Sequence, residues 1–254
     1  MDLGIKDKVA FIGGSSQGLG KSIALQLAKE GVLPILSGRK VESLNETKAE
    51  IESKTRITPM TIQGDLSIEE DRLNIIQTVL QEFDSVDIVI TNTGGPPAGN
   101  FDDFGQEQWN KAYELLFGSA VSIIRGFLPK MKSQQWGRII AITSVSTKQP
   151  IDHLILSNAI RTSVVGLIKS LANELGPYQI TANNVMPGYT ATQRLKTLTE
   201  SNPNFNNVTS EIPLGRFGKP EELAATVAFL ASQQASYING VSLAVDGGWI
   251  KSSL

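Results

Sequence analysis

The chain has 254 residues, enough for one large domain or two small ones, and its 41% hydrophobic and 19% charged residues suit a globular protein with a sizeable core. A formal net charge of −2 offers no basic field for nucleic acid or anionic lipid, and no apolar run is long enough to span a bilayer. Zero cysteines exclude disulfides, thiolate metal sites and a cysteine nucleophile, and the single histidine, His153, excludes any site needing two imidazoles, so no metal is expected.

Residues Met1 to Lys8 lack the layout of a secretory signal, and a cytoplasmic protein is expected. Short β-type runs then alternate with helical patterns. Val9 to Ile12 reads as a strand, and Ile23 to Ala28 as the helix that follows it. Further strands are expected over Val32 to Ser37, Ile57 to Gln63, Val86 to Thr91, Arg138 to Thr143, Ile180 to Val185 and Val241 to Val245. Helices are expected near 40–53, 68–83, 107–133, 153–175 and 220–232. Strictly alternating strands and helices imply a mainly parallel sheet covered on both faces. The expected fold is therefore α/β, a doubly wound, Rossmann-type three-layer sandwich around a mainly parallel seven-stranded sheet. No linker divides the chain, so 1–254 reads as one domain. The polar stretch from Tyr189 to Pro213, with Pro203 in its middle, breaks the rhythm and reads as an irregular excursion covering a substrate, or as a surface insertion.

The first strand runs into Gly13-Gly14-Ser15-Ser16-Gln17-Gly18-Leu19-Gly20. Glycines there allow a tight turn and close approach of the backbone, and the free N–H groups of the following helix face an anion such as a pyrophosphate. The spacing is Gly-x-x-x-Gly-x-Gly at Gly14, Gly18 and Gly20, unlike the common G-x-G-x-x-G. The second strand ends Ser37-Gly38-Arg39-Lys40, without the carboxylate that would accept from a ribose 2′-hydroxyl. Arg39, with hydroxyls from Ser15, Ser16 and Ser37, suits a 2′-phosphate and favours NADP(H) over NAD(H). The plainer reading makes Arg39 and Lys40 solvated charges at a helix start.

These motifs resemble the short-chain dehydrogenase/reductase family over almost the whole chain. The glycine turn is similar to its T-G-x-x-x-G-x-G, with Gly13 where Thr is usual. Asp65-Leu66 looks like its adenine-contacting pair, and Thr91-Asn92-Thr93-Gly94 stands where Asn-Asn-Ala-Gly is common. Pro187-Gly188 with Thr192 resembles the P-G-x-x-x-T that holds the nicotinamide carboxamide, and Pro213 to Arg216 through Asp246-Gly247-Gly248 looks like the C-terminal part. The general likeness is to 3-oxoacyl-acyl-carrier-protein reductases. It implies a carbonyl or alcohol substrate and a homo-oligomer, commonly a tetramer, which the apolar helices near 107–133 and 153–175 also suit.

The family's catalytic set is Asn, Ser and a Y-x-x-x-K pair. Ser144 fits the serine that hydrogen-bonds the substrate carbonyl. Counting on from it puts Ser157 at the Tyr position and Arg161 at the Lys position, and counting from Trp109 puts Leu116 at the Asn position. A serine is too weak an acid to replace the phenol, and loss of a general acid costs ~10²–10⁴ in rate. Arg161 is expected to anchor the ribose and place positive charge near the nicotinamide. Lys148, on the loop leaving the fifth strand, and His153, just before the next helix, are candidates for the proton donor, as is water. The leading expectation is an NADP(H)-dependent oxidoreductase. Its alternatives are an inactive NADP(H)-binding regulatory or assembly protein, and dehydration or isomerisation on the same scaffold.

Overall fold

The computed structural model describes residues 2–201 and 208–253. In chain order the first half comprises β1 (Val9–Ile12), α1 (Gly18–Lys29), β2 (Leu33–Gly38), α2 (Val41–Lys54), β3 (Met60–Gln63), α3 (Glu69–Glu82) and β4 (Ile88–Thr91). The second half comprises α4 (Gln106–Tyr113), α5 (Ser119–Gln134), β5 (Gly137–Ile142), α6 (Ile155–Leu175), β6 (Ile180–Pro187), α7 (Gln193–Ser201), α8 (Val208–Glu211), α9 (Pro220–Ala231) and β7 (Ser242–Val245).

The strands form one seven-stranded sheet in the order β3-β2-β1-β4-β5-β6-β7, and every pair is parallel. Parallel strands covered on both faces bury nearly every residue, and β5 and β6 are buried along their whole lengths. One apolar layer joins α1, α2 and α9 to the sheet through Ile23, Leu27, Leu44, Ile51, Leu223 and Val227. The other joins α3, α5 and α6 through Ile75, Val79, Phe127, Val164 and Ile168. The chain order reverses direction between β1 and β4. At such a switch point the carboxyl ends of the strands open a crevice, which fixes where a ligand sits.

Local chemistry explains the element ends. The first turn of α3 carries Glu69, Glu70 and Asp71 against the positive end of the helix. At the start of α9, Pro220 takes the first helical position and the Glu222 carboxylate accepts from the Lys219 N–H at 2.7 Å.

Three expectations are revised. The third strand begins at Met60 rather than Ile57, because Pro59 has no N–H to give to a ladder. The expected 107–133 helix is α4 and α5 joined by a π-turn, Glu114–Gly118, on which Leu116 is buried. The excursion from Tyr189 to Pro213 is not irregular, since it contains α7 and α8; Pro203 lies outside the described residues.

Candidate active site

The glycine turn after β1 is held from inside. Ser15 Oγ donates to the Ile12 carbonyl at 2.9 Å and accepts from the Ser37 N–H at 2.9 Å, tying the turn to β2. Asn92 Nδ2 donates to the Gly13 carbonyl at 2.9 Å and to that of Gly14 at 3.3 Å, tying it to β4. Gly14 has φ +56°, which favours glycine, and a Cβ on Gly20 would lie 2.3 Å from the Gly14 carbonyl oxygen. The N-cap of α1, Gln17, makes no side-chain cap hydrogen bond and the first turn holds no acid, so the opening N–H groups of α1 keep their positive field for a ligand.

Two of the hydroxyls expected to meet a 2′-phosphate are not available to one. Ser15 and Ser37 are wholly buried, because both face the β1–β2 seam, and Ser15 spends its hydroxyl on the turn itself. Ser16 and Arg39 remain at the surface. Ser16 Oγ lies beside Gly38, and Arg39 is 76% exposed, its nearest carboxylate being Asp65 at 3.8 Å. Asp65 accepts from the Ser67 N–H and hydroxyl through one oxygen, which orients the other outward, while Leu66 is buried. Beyond β4, Thr93 donates to the Gly94 carbonyl, and nothing lies within 4 Å of a Cβ built on Gly94. Across the crevice, a Cβ on Gly18 would meet the Thr192 methyl at 3.7 Å, so the loop that follows Pro187 and Gly188 closes against the glycine turn.

The same cleft continues to the ends of β5 and β6, where Ser144, Ser157, Arg161, Tyr189 and Arg194 line it together with Leu19, Asn92 and Thr192. Ser144 is extended at the end of β5, lines the cleft, and its Oγ accepts the Ser146 N–H at 3.1 Å, which leaves the hydroxyl hydrogen to donate elsewhere. Ser157 comes from the first turn of α6 and is almost fully buried. One turn on, Arg161 donates through Nη1 to the Ile142 carbonyl at 3.1 Å and through Nη2 to the Gly94 carbonyl at 3.4 Å, bridging the ends of β5 and β4. Burial, reinforced by repulsion from Arg194, pulls its guanidinium down to about 10, within the range of an ordinary lysine. The Tyr189 phenol is pushed up to about 12 by burial and by Glu211 and Asp152, and so stays protonated at neutral pH.

The structure does not bring Lys148 to this cleft. It closes the short 3₁₀ turn after Ser144 and is exposed. His153 is exposed too; it adopts φ +60°, and its backbone carbonyl accepts the Gly99 N–H, which uses the residue to fix a turn before α6. Among the described residues no group of acids and histidine is placed to hold a metal ion. Arg194 was not foreseen. It sits on α7 within the excursion, donates to the Pro96 carbonyl at 3.0 Å and lies directly over Gly95.

A family model described as enoyl-(acyl carrier protein) reductase matches residues 14–250. The chain belongs to the short-chain dehydrogenase/reductase family. It is 31% identical to the 3-oxoacyl-[acyl-carrier-protein] reductase FabG of Aquifex aeolicus over 98% of this chain and 99% of that one. It is 30% identical to the NADPH-dependent reductase BacG of Bacillus subtilis over 96% and 98% of the two chains. Among solved structures, L-sorbose reductase from Gluconobacter frateurii with NADPH and L-sorbose has a TM-score of 0.93 at 32% identity, covering 99% of this chain and all of that one. As in other open α/β sheets, the cleft of this short-chain dehydrogenase/reductase opens at the carboxyl edge of the sheet, where the fold favours a ligand.

Proposed function

We propose that the chain is an NADP(H)-dependent oxidoreductase acting on the carbonyl or alcohol group of a small molecule, with Ser144 as the residue that orients the reacting oxygen. The observation that supports this reading is that Ser144, Ser157 and Arg161 line one cleft together with Leu19 of the glycine turn. The residues fit the dinucleotide. The uncapped start of α1, with Gly14, Ser16, Gln17, Gly18, Leu19 and Gly20, would hold the pyrophosphate, and exposed Arg39 with Ser16 the 2′-phosphate. Asp65 and Leu66 would face the adenine, Asn92, Thr93 and Gly94 the middle of the molecule, and Pro187, Gly188, Thr192 and Arg161 the nicotinamide end. When bound, NADPH supplies the hydride.

The chain's own residues then manage the oxygen. Ser144 donates a hydrogen bond to the carbonyl, which polarises it and sets its distance from the hydride-donating face. Negative charge that develops on this oxygen is met by Arg161, half-buried one helical turn beyond Ser157, where a weakly screened cation acts more strongly than in water. The final proton passes from water through the Ser157 hydroxyl, which gives its own proton to the alkoxide as it takes one from solvent. Lys148, exposed beyond the cleft, has no part in this route.

Replacing Ser144 by Ala is expected to lower turnover by ~10²–10³-fold while NADPH affinity stays within about twofold, since the side chain touches substrate and not the dinucleotide. Steady-state kinetics with a fluorescence titration of NADPH checks both halves. NADPH binding with no turnover of any ketone, aldehyde or oxoacyl thioester by the unmodified chain would instead support a regulatory or assembly protein that reads NADP(H).

The proposal includes a cytoplasmic, homo-oligomeric protein, with a tetramer favoured. Support comes from an apolar groove between α3 and the helix that runs from α4 through the π-turn into α5, where Leu73 is 57% and Tyr113 46% exposed beside Ile76 and Phe117. Sedimentation velocity at micromolar concentration is expected to give four times the 27.4 kDa chain mass, and a monomer would remove this part of the reading.

A further inference from the structure

We propose that Arg194 is a substrate-binding residue that receives a carboxylate, so that the substrate is a small carbonyl compound carrying a negative charge. This inference rests on the oxidoreductase reading and deepens it. Arg194 lines the same cleft as Ser144 and Arg161, and among the described residues no aspartate or glutamate lines it. Among the described residues it donates to a neutral carbonyl, Pro96 O at 3.0 Å, and no carboxylate pairs with it. A guanidinium carries five N–H donors in a planar fork, so Arg194 keeps a face of donors unmatched by protein acceptors.

The second cation sharpens the point. Arg161 and Arg194 hold the same loop, one through the Gly94 carbonyl and the other through that of Pro96, with the Arg194 guanidinium over Gly95 between them. Two like charges facing one loop repel, and desolvation lowers both guanidiniums below their ordinary range even though the Arg194 side chain reaches the surface. A substrate carboxylate relieves that repulsion and satisfies the fork with two parallel charge-assisted hydrogen bonds. The dinucleotide's own anions have another home, at the uncapped start of α1 beside Thr192, whereas Arg194 lies over the loop after β4 whose Gly94 carbonyl Arg161 holds. Ile151, Leu154 and Leu195 give the rest of the cleft an apolar wall, which suits a short hydrocarbon body between carbonyl and carboxylate.

The test uses the full chain saturated with NADP+, which binds without reducing the probe, and ligand-observed NMR with 2-oxobutyrate, acetoacetate and levulinate against their methyl esters. At least one oxo acid is expected to bind roughly 10- to 100-fold more tightly than its ester, and Arg194→Gln to erase that preference while NADP+ affinity changes less than about twofold. Arg194→Lys, which keeps the charge without the fork, is expected to retain part of it and guards against a folding artefact. Equal binding of acid and ester, or an Arg194→Gln variant that loses NADP+ in step with the acid, overturns the assignment, the latter by placing Arg194 on the pyrophosphate. The two readings fail separately. Acids that bind but are never reduced with NADPH sink the oxidoreductase and leave the receptor standing, whereas reduction of neutral ketones with no preference for acids does the reverse.

Discussion

The loops after β1 and β2 and the loops after β5 and β6 open onto one cleft at the same edge of one sheet, yet they are built on different principles. The first pair works through backbone. The Ser15 hydroxyl, the Ser37 backbone N–H and the Asn92 amide hold the glycine turn in place, and the turn offers main-chain N–H groups and helix field rather than side chains. The second pair works through side chains: Ser144 follows β5, and Ser157 and Arg161, on the α6 helix that comes next, line the same cleft. Recognition by backbone depends on shape and tolerates exchange of neighbouring side chains, whereas proton transfer depends on the functional group itself and changes with it. On that principle, exchange of a side chain is expected to be tolerated at the dinucleotide end and to change the chemistry at the reacting end.

The comparison breaks most decisively at Gly20. If the dinucleotide end is held by shape, Gly20→Val, whose Cβ would lie 2.3 Å from the Gly14 carbonyl oxygen, is expected to cost upwards of about 3 kcal/mol and to abolish NADPH binding. Thermal denaturation with a fluorescence titration checks this, and a variant that still binds NADPH would show that the turn is not the cradle. At the reacting end, charge on Arg161 is the variable that matters. Its guanidinium is held down to about 10, so the cation, and the turnover that needs it, is expected to be intact at neutral pH and to disappear as pH rises through about 10. The sign for stability is opposite. A cation whose folded pKa is lowered costs stability while it is charged, and that cost lifts as pH climbs through the same window. A pH profile of kcat/KM beside one of melting temperature separates the two, and an activity limb absent from Arg161→Gln assigns it. The smallest effect is expected at Arg39, where Arg39→Ala weakens NADPH by roughly 10-fold and leaves NADH nearly unchanged, as competitive binding of the two measures.

Much of this was legible before any coordinates. The alternation of β-type runs with helical periodicities specified a doubly wound parallel sheet, and the glycine turn between first strand and first helix located the dinucleotide end. Such features are local, because burial in a parallel sheet leaves its period on a few adjacent residues and a turn is fixed by the glycines inside it. Ser144, Ser157 and Arg161 were singled out as offsets along one loop and one helix, and all three line one cleft.

What tertiary structure alone decided are matters of direction and of distant partners. The sequence makes Lys148 and His153 neighbours of Ser144, but the backbone turns both outward, since a loop's path depends on what packs beneath it. Ser15 and Ser37 read as surface donors and are instead buried where β1 meets β2. Arg194 stood in a polar stretch with no periodic signal, and its place over Gly95, far along the chain, follows only from sheet order bringing the ends of β4 and β6 to one cleft. Residue type and spacing thus determined the scaffold and the cofactor end, whereas the charge and chemistry of the reacting end arose from contacts between segments that no local pattern records.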